Sequence, residues 1–328
     1  MRRVRNAFIA ALCSVVLAGS ALGGRDDALG GEPRRILFGD AKTAYRDPAA
    51  VYDNGRFHLF FTLVETETNG FVHSYVAVSR SSDLVSWTAP QKLTPKSDRD
   101  FSSPGDVVRD GEDWVLCLQS YPRPGNRDDG RVRYGNRTAR LFTMRSRDLE
   151  TWSRPELLRV KGPDVAEKDM GRMIDPYLLK NTNGCWWCFY KQNGASMSRS
   201  ADLRNWEYVG RTEAGENVCV VPSGDGFVML HSPANGIGLK RSKDLVHWTD
   251  VPGRITLHQK SWEWAKGRLT AGFLLDARSV DGVGKYVLFF HGSGPRTERE
   301  GDFDRNASIG IAVADRIEDF LDLRRDAR

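Results

Sequence analysis

The sequence repeats one seven-residue phrase, S-x-D-L-x-x-W, at residues 81–87, 146–152, 200–206 and 242–248. A fifth stretch, residues 314–320, keeps an aliphatic and an aromatic residue at the matching places. Recurrence at intervals of several tens of residues encodes stacked supersecondary units, none of which can bury its apolar face alone. Within the phrase, Ser and Asp suit hydrogen bonds to nearby backbone in a turn, while Leu and Trp suit inward packing. Ahead of each phrase lies a short β-branched and aromatic run beside a glycine, at residues 56–61, 114–118, 185–190, 227–230 and 285–290. Runs of that length, bounded by turns such as Asn54-Gly55 and Asp110-Gly111, read as hairpins. Five units of four antiparallel strands predict an all-β, five-bladed β-propeller, with a β-sandwich as the competing architecture.

The repeats cover roughly residues 45–320 of the 328, which predicts a single propeller domain over 36–328. Residues 24–35 are rich in glycine and charge and predict a flexible tether, after which residues 36–38 add a strand. Residues 1–23 read as a secretory signal peptide. Arg2, Arg3 and Arg5 precede an apolar run over residues 7–22, and cleavage is expected at Ala21-Leu22-Gly23. The run is short for a stable membrane span. A secreted or periplasmic protein is expected. Loss of the three arginines lowers the formal charge from +5 to +2, which leaves no strong electrostatic attraction for nucleic acid.

Of five cysteines, Cys13 leaves with the signal, and Cys117, Cys185, Cys188 and Cys219 remain. Cys185 and Cys188 have metal-ligand spacing, but in a strand their sulfurs point to opposite faces. They read as buried strand residues, with room for one disulfide whose partners the sequence does not fix. Asp302, Asp304 and Asn306 copy the start of a calcium loop, yet Ala307 stands where that loop needs Gly, and no Glu follows at its twelfth place. No metal and no other cofactor is therefore expected. The insertion at residues 122–137, with Arg123, Arg127, Arg131, Arg133 and Arg137, is expected to be a solvated hairpin tip, with part of the binding rim at one end of the propeller as the alternative.

Residues that open the first strand of each blade should converge at one mouth of a central channel. Counting back from the hairpin glycines gives Asp47, Ser103, Asp175, Glu216 and Thr270. With 43 acidic residues in 328, five positions would hold fewer than one carboxylate by composition alone; here there are three. Carboxylates aimed into one cavity repel one another and lose hydration, a cost that structure alone would not maintain. The chemistry that needs carboxylates held apart across a cavity is glycoside hydrolysis, with one group protonated and one ionised.

Tyr45-Arg46-Asp47-Pro48, Met173-Ile174-Asp175-Pro176 and Glu216 ahead of residues 226–230, together with the repeated phrases, resemble glycoside hydrolase family 43 and its relatives. That resemblance implies a five-bladed propeller, inversion, and arabinose-, xylose- or galactose-containing polymers or oligosaccharides as substrates. It also implies Asp47 as general base, Asp175 as the group that modulates the acid's pKa and orients substrate, and Glu216 as general acid. The chain departs from the family where Asn217-Val218 follows the acid in place of Gly-Pro. The first strand of blade 5 reads Gly267-Arg268-Leu269-Thr270, without the metal-holding His of many members. In a related anhydrogalactosidase family the acid is a His, for which His231 and His258 would be candidates. Ser103, Thr270, Arg268, Trp262 and Trp264 are expected to contact the sugar, the two indoles by stacking. A non-catalytic sugar-binding propeller is the alternative from a different functional class.

Overall fold

The computed structural model describes residues 33–129, 136–294 and 304–321; residues 1–23, Arg131, Arg133 and Asp302 lie outside the described residues. Five antiparallel sheets follow one another along the chain, and each is a propeller blade. Blade 1 comprises β2 (Thr43–Asp53), β3 (Arg56–Thr66), β4 (Val72–Ser81) and β5 (Gln91–Lys92). In blade 2 the first strand is broken into β6 (Phe101–Ser102) and β7 (Val107–Asp110). Both pieces pair with β8 (Asp113–Ser120), and β9 (Arg140–Ser146) and β10 (Glu156–Leu157) follow. Blade 3 holds β11 (Ile174–Lys180), β12 (Trp186–Lys191), β13 (Ala195–Ser200) and β14 (Trp206–Thr212). Blade 4 holds β15 (Glu216–Ser223), β16 (Gly226–Ser232), β17 (Ile237–Ser242) and β18 (Thr249–Ile255). Blade 5 is built from both ends of the fold: β19 (Arg268–Ala277), β20 (Lys285–Ser293) and β21 (Ser308–Ala314) are completed by β1 (Arg34–Leu37), paired antiparallel to β21. The strand therefore opens two residues inside the expected tether.

Each repeated phrase forms a turn whose hydrogen bonds come from its own side chains. Ser81 Oγ accepts from the Leu84 amide at 2.9 Å, and Asp83 Oδ1 accepts from the amides of Val85 and Ser86, both at 2.8 Å. Trp87 Nε1 donates to the Leu84 carbonyl at 3.3 Å. These bonds hold the phrase leucines in the left-handed region, at φ 60°, 60°, 61° and 66° for Leu84, Leu149, Leu203 and Leu245. A leucine pays for that conformation through backbone crowding, and here burial of all four side chains offsets it.

The phrase tryptophans join neighbouring blades. Trp152 of blade 2 meets Phe60 of blade 1 edge to face with centroids 5.6 Å apart, and Trp248 of blade 4 meets Phe189 of blade 3 at 6.0 Å. Trp87 of blade 1 reaches Phe289 of blade 5 at 6.3 Å, so the same contact closes the ring. Each such pair adds roughly 0.5–1.5 kcal/mol beyond the area it buries. All four remaining cysteines are free thiols in this arrangement, with Cys117, Cys188 and Cys219 buried and Cys185 partly so.

Candidate active site

The first strand of every blade carries a break in its ladder at the same level. The register slips between Arg46 and Ala49, between Ile174 and Tyr177, between Glu216 and Cys219, and between Thr270 and Phe273. At the break one non-glycine residue per blade takes a positive φ: Asp47 at 48°, Ser103 at 42°, Asp175 at 51°, Asn217 at 49° and Ala271 at 52°. Bulges of this kind re-aim side chains and leave backbone groups unpaired, and Pro48, Pro104 and Pro176 tolerate the lost amide at the next position. Positive φ at a non-glycine residue costs about 1–3 kcal/mol, and here it recurs five times around one axis.

The five bulges pinch the central channel. On one side, a space of about 20 Å³ is walled by the bulges of all five blades, enough for one or two water molecules. On the other side the channel widens to about 230 Å³. This cavity is walled by Asp47, Asp175 and Glu216, with Arg46, Ser103, Gln119, Asn217, Arg268, Thr270 and His291 among their neighbours. All three carboxylates read from the sequence therefore share one chamber, as do Ser103, Thr270 and Arg268. In blades 4 and 5 the ring is one residue off: Asn217 and Ala271 occupy the positions of Asp47 and Asp175, and Glu216 and Thr270 align with Arg46 and Ile174. Glu216 thus faces the cavity from the row next to the bulge.

Asp47 is buried and surrounded by donors. Its Oδ2 accepts from Thr62 Oγ1 at 2.9 Å and Ser103 Oγ at 3.1 Å, and its Oδ1 accepts from Asn217 Nδ2 at 3.4 Å. Arg46 lies 3.7 Å away and His291 3.9 Å away. Burial alone would raise its pKa, but the Arg46 guanidinium and these hydrogen bonds outweigh burial and hold the carboxyl below its usual range. Asp175 has the opposite balance. Burial, then repulsion from Glu216 and Asp47, pushes it up to about 8, against weaker help from Ser103 and the Asn217 backbone. Gln119 fixes its place, accepting from the Asp175 amide at 2.7 Å while donating to Ser102 Oγ at 3.1 Å. Near neutral pH the trio therefore retains a proton on Asp175, while Asp47 is ionised.

Several cavity residues escaped the sequence reading. Gln119 and His291 lie in second strands, directly across from Ser102 and Thr270. The cross-strand partner of each ring position was the signal that could have found them. His291 is buried and its pKa falls to about 3, first from burial and despite Asp47, so at neutral pH it is an uncharged imidazole. Thr270 Oγ1 and His291 Nδ1 are buried without a hydrogen-bond partner, free to bond a ligand.

Other expectations are corrected by packing. Trp262 and Trp264 stack on each other with centroids 6.2 Å apart, and Trp264 stacks on Phe290 at 5.8 Å. Both indoles are buried in the core, Trp264 against blade 5, and do not line the cavity, so neither can stack on a sugar there. His231 is buried outside the cavity, its Nδ1 accepting from the Gly215 amide at 3.0 Å, and His258 is exposed. Neither reaches the site as an acid. Arg123, expected at a solvated tip, is instead buried against the cavity, with Nη1 bidentate to Asp304 at 2.9 and 2.8 Å and Nη2 donating to Ser74 Oγ at 3.1 Å. The calcium-like Asp304 is thus an ion-pair partner, and no cluster of three potential metal ligands occurs among the described residues.

No protein-family model matches the sequence, and no curated protein matches it. Solved structures do match. A glycosyl hydrolase from Bacteroides ovatus aligns with a TM-score of 0.61 at 15% identity, over 88% of this chain and 91% of that one. The catalytic domain of the Coprinopsis cinerea GH62 alpha-L-arabinofuranosidase aligns at 0.59 and 13%, over 86% and 98%. A thermostable family-43 glycoside hydrolase aligns at 0.54 and 12%, over 84% and 90%. At these identities the likeness is one of fold: the chain has the five-bladed propeller architecture found in family 43 and GH62 glycoside hydrolases.

Proposed function

We propose that this protein is an exported glycoside hydrolase that cleaves its substrate with inversion. The observation that carries the reading is the convergence of Asp47, Asp175 and Glu216, from three blades, on one strained and partly dehydrated chamber with opposed protonation tendencies. Asp47, kept ionised by Arg46 and its donors, acts as general base on a water. Glu216 acts as general acid toward the departing oxygen. Asp175, whose carboxyl is pushed up to about 8 by burial and by repulsion from Glu216 and Asp47, lines the same cavity and orients the substrate. Thr270, His291 and Arg268 supply bonds to sugar hydroxyls. Structures with this fold include an exo-1,5-alpha-L-arabinanase, a beta-xylosidase and a beta-1,3-galactosidase, which supports sugar polymers or oligosaccharides as the substrate class. Among the described residues no helix is long and apolar enough to cross a membrane, and export rests on the signal-like segment at residues 1–23.

The test is a panel of arabinan, xylan and galactan oligosaccharides, with released sugar quantified for the wild type and Asp47→Asn. Turnover that falls by roughly 10²–10⁴-fold in the variant supports the reading. Sugar binding without turnover across the panel would favour a binding protein.

A further inference from the structure

Four guanidinium groups line the cavity: Arg46, Arg123, Arg172 and Arg268. Three of them face carboxylates of the protein. Arg46 stands 3.7 Å from Asp47, Arg123 is bidentate on Asp304, and Arg268 lies in the field of Glu216, Asp47 and Asp175. Arg172 does not. Its Nη2 donates to Tyr121 Oη at 3.5 Å, its guanidinium carbon lies 5.5 Å from the centroid of that ring, and its Nε is buried without a hydrogen-bond partner. Among the described residues no carboxylate is within ion-pair reach of it.

The backbone beneath Arg172 is clamped. Arg140 donates to the carbonyls of Glu167 at 2.8 Å and Gly171 at 2.7 Å, and Gln192 Nε2 donates to those of Met170 at 3.1 Å and Arg172 at 3.0 Å. This is a fixed cation at the wall of a chamber where Asp175 is protonated at neutral pH. A half-buried guanidinium with an unmet donor is costly, and its fork of donors matches an oxyanion far better than a hydroxyl.

We propose, building on the glycosidase reading, that the sugar bound in this cavity carries an anionic substituent, a carboxylate or a sulfate ester, which Arg172 receives. Arg172 then sets specificity, while Asp47 and Glu216 perform the cleavage.

The experiment compares kcat/KM for aryl glycosides of the uronate, the 6-sulfate and the parent hexose, in the gluco and galacto series, with calorimetric binding of the corresponding free sugars. An anionic form is expected to be preferred over its neutral parent, and Arg172→Gln to cut that preference about 10–100-fold. Arg172→Lys should restore part of it, because charge survives without the fork. The uronate and sulfate arms identify which oxyanion is read. The inference is overturned if neutral hexosides are cleaved as well as both anionic forms, or if the preference is unmoved in an Arg172→Gln protein that melts like the wild type. If nothing is cleaved but a uronate or sulfated sugar binds through Arg172, the hydrolase reading fails and this one stands. If neither anionic sugar binds nor reacts, it is overturned. Should Arg172→Gln fail to fold, the lysine variant alone decides by its weakened anion preference.

Discussion

A carboxyl group that holds its proton to about pH 8 against an ordinary 3.8, as Asp175 does, destabilises the fold at neutral pH. The unfolded chain gives up that proton near pH 4 while the folded chain keeps it, so the contribution of Asp175 to stability falls as pH rises between those values. Asp175→Asn cannot ionise, and its melting temperature should exceed the wild type's by a margin that grows from about pH 4 to about pH 8. A margin independent of pH would contradict the assignment. Asp47 has the opposite sign: its folded pKa is lowered, so its contribution is present above the ordinary carboxylate range and is lost as acid protonates it. Glu216→Gln should slow natural glycosides by roughly 10²–10⁴-fold, while an activated aryl glycoside, which departs without a proton, is slowed far less. Equal losses on both, measured as kcat/KM, would remove Glu216 from the acid role.

At the scale of the strand and turn, the repeated phrase was legible because its Ser and Asp bond the turn's own amides, an effect confined to seven residues. Replacing Asp148, which accepts from the amides of Glu150 at 2.8 Å and Thr151 at 2.7 Å, by Ala should lower the midpoint of a denaturant melt, as loss of a helix cap does. An unchanged midpoint would mean the leucine conformation is held by packing alone. The first strands were less legible. In blade 4 the turn is Gly224-Asp225 and Gly226 pairs with Ser223 inside the strand. The count back from the hairpin glycine reaches Glu216, one residue short of Asn217, which takes the positive φ of the bulge. The cavity-facing acid was still found because the bulge turns two adjacent rows toward the axis. Tryptophan faces were illegible for a different reason: a buried indole and a sugar-stacking indole share the same composition, and only three-dimensional neighbours such as Phe290 separate them.

At the scale of the whole molecule, the ring closes where β1 completes blade 5 beside β21, and Trp87 meets Phe289 across the same seam. The sequence located a strand near residues 36–38, but its pairing with a segment over 270 residues away depends on ring closure, which local pattern does not encode. Deleting residues 1–37 removes two buried side chains, Ile36 and Leu37, worth roughly 3–6 kcal/mol together, and bares the edge of β21. The truncated chain should melt on the order of 10 °C lower; an unchanged melt would place closure elsewhere. The central claim is that three carboxylates on separate blades act together as an inverting glycosidase site. Proton NMR of the anomer first released from a sugar oligomer tests it most directly. The account predicts the inverted anomer from the wild type and no comparable release from Asp47→Asn; first release of the retained anomer, or turnover undiminished in that variant, would contradict it.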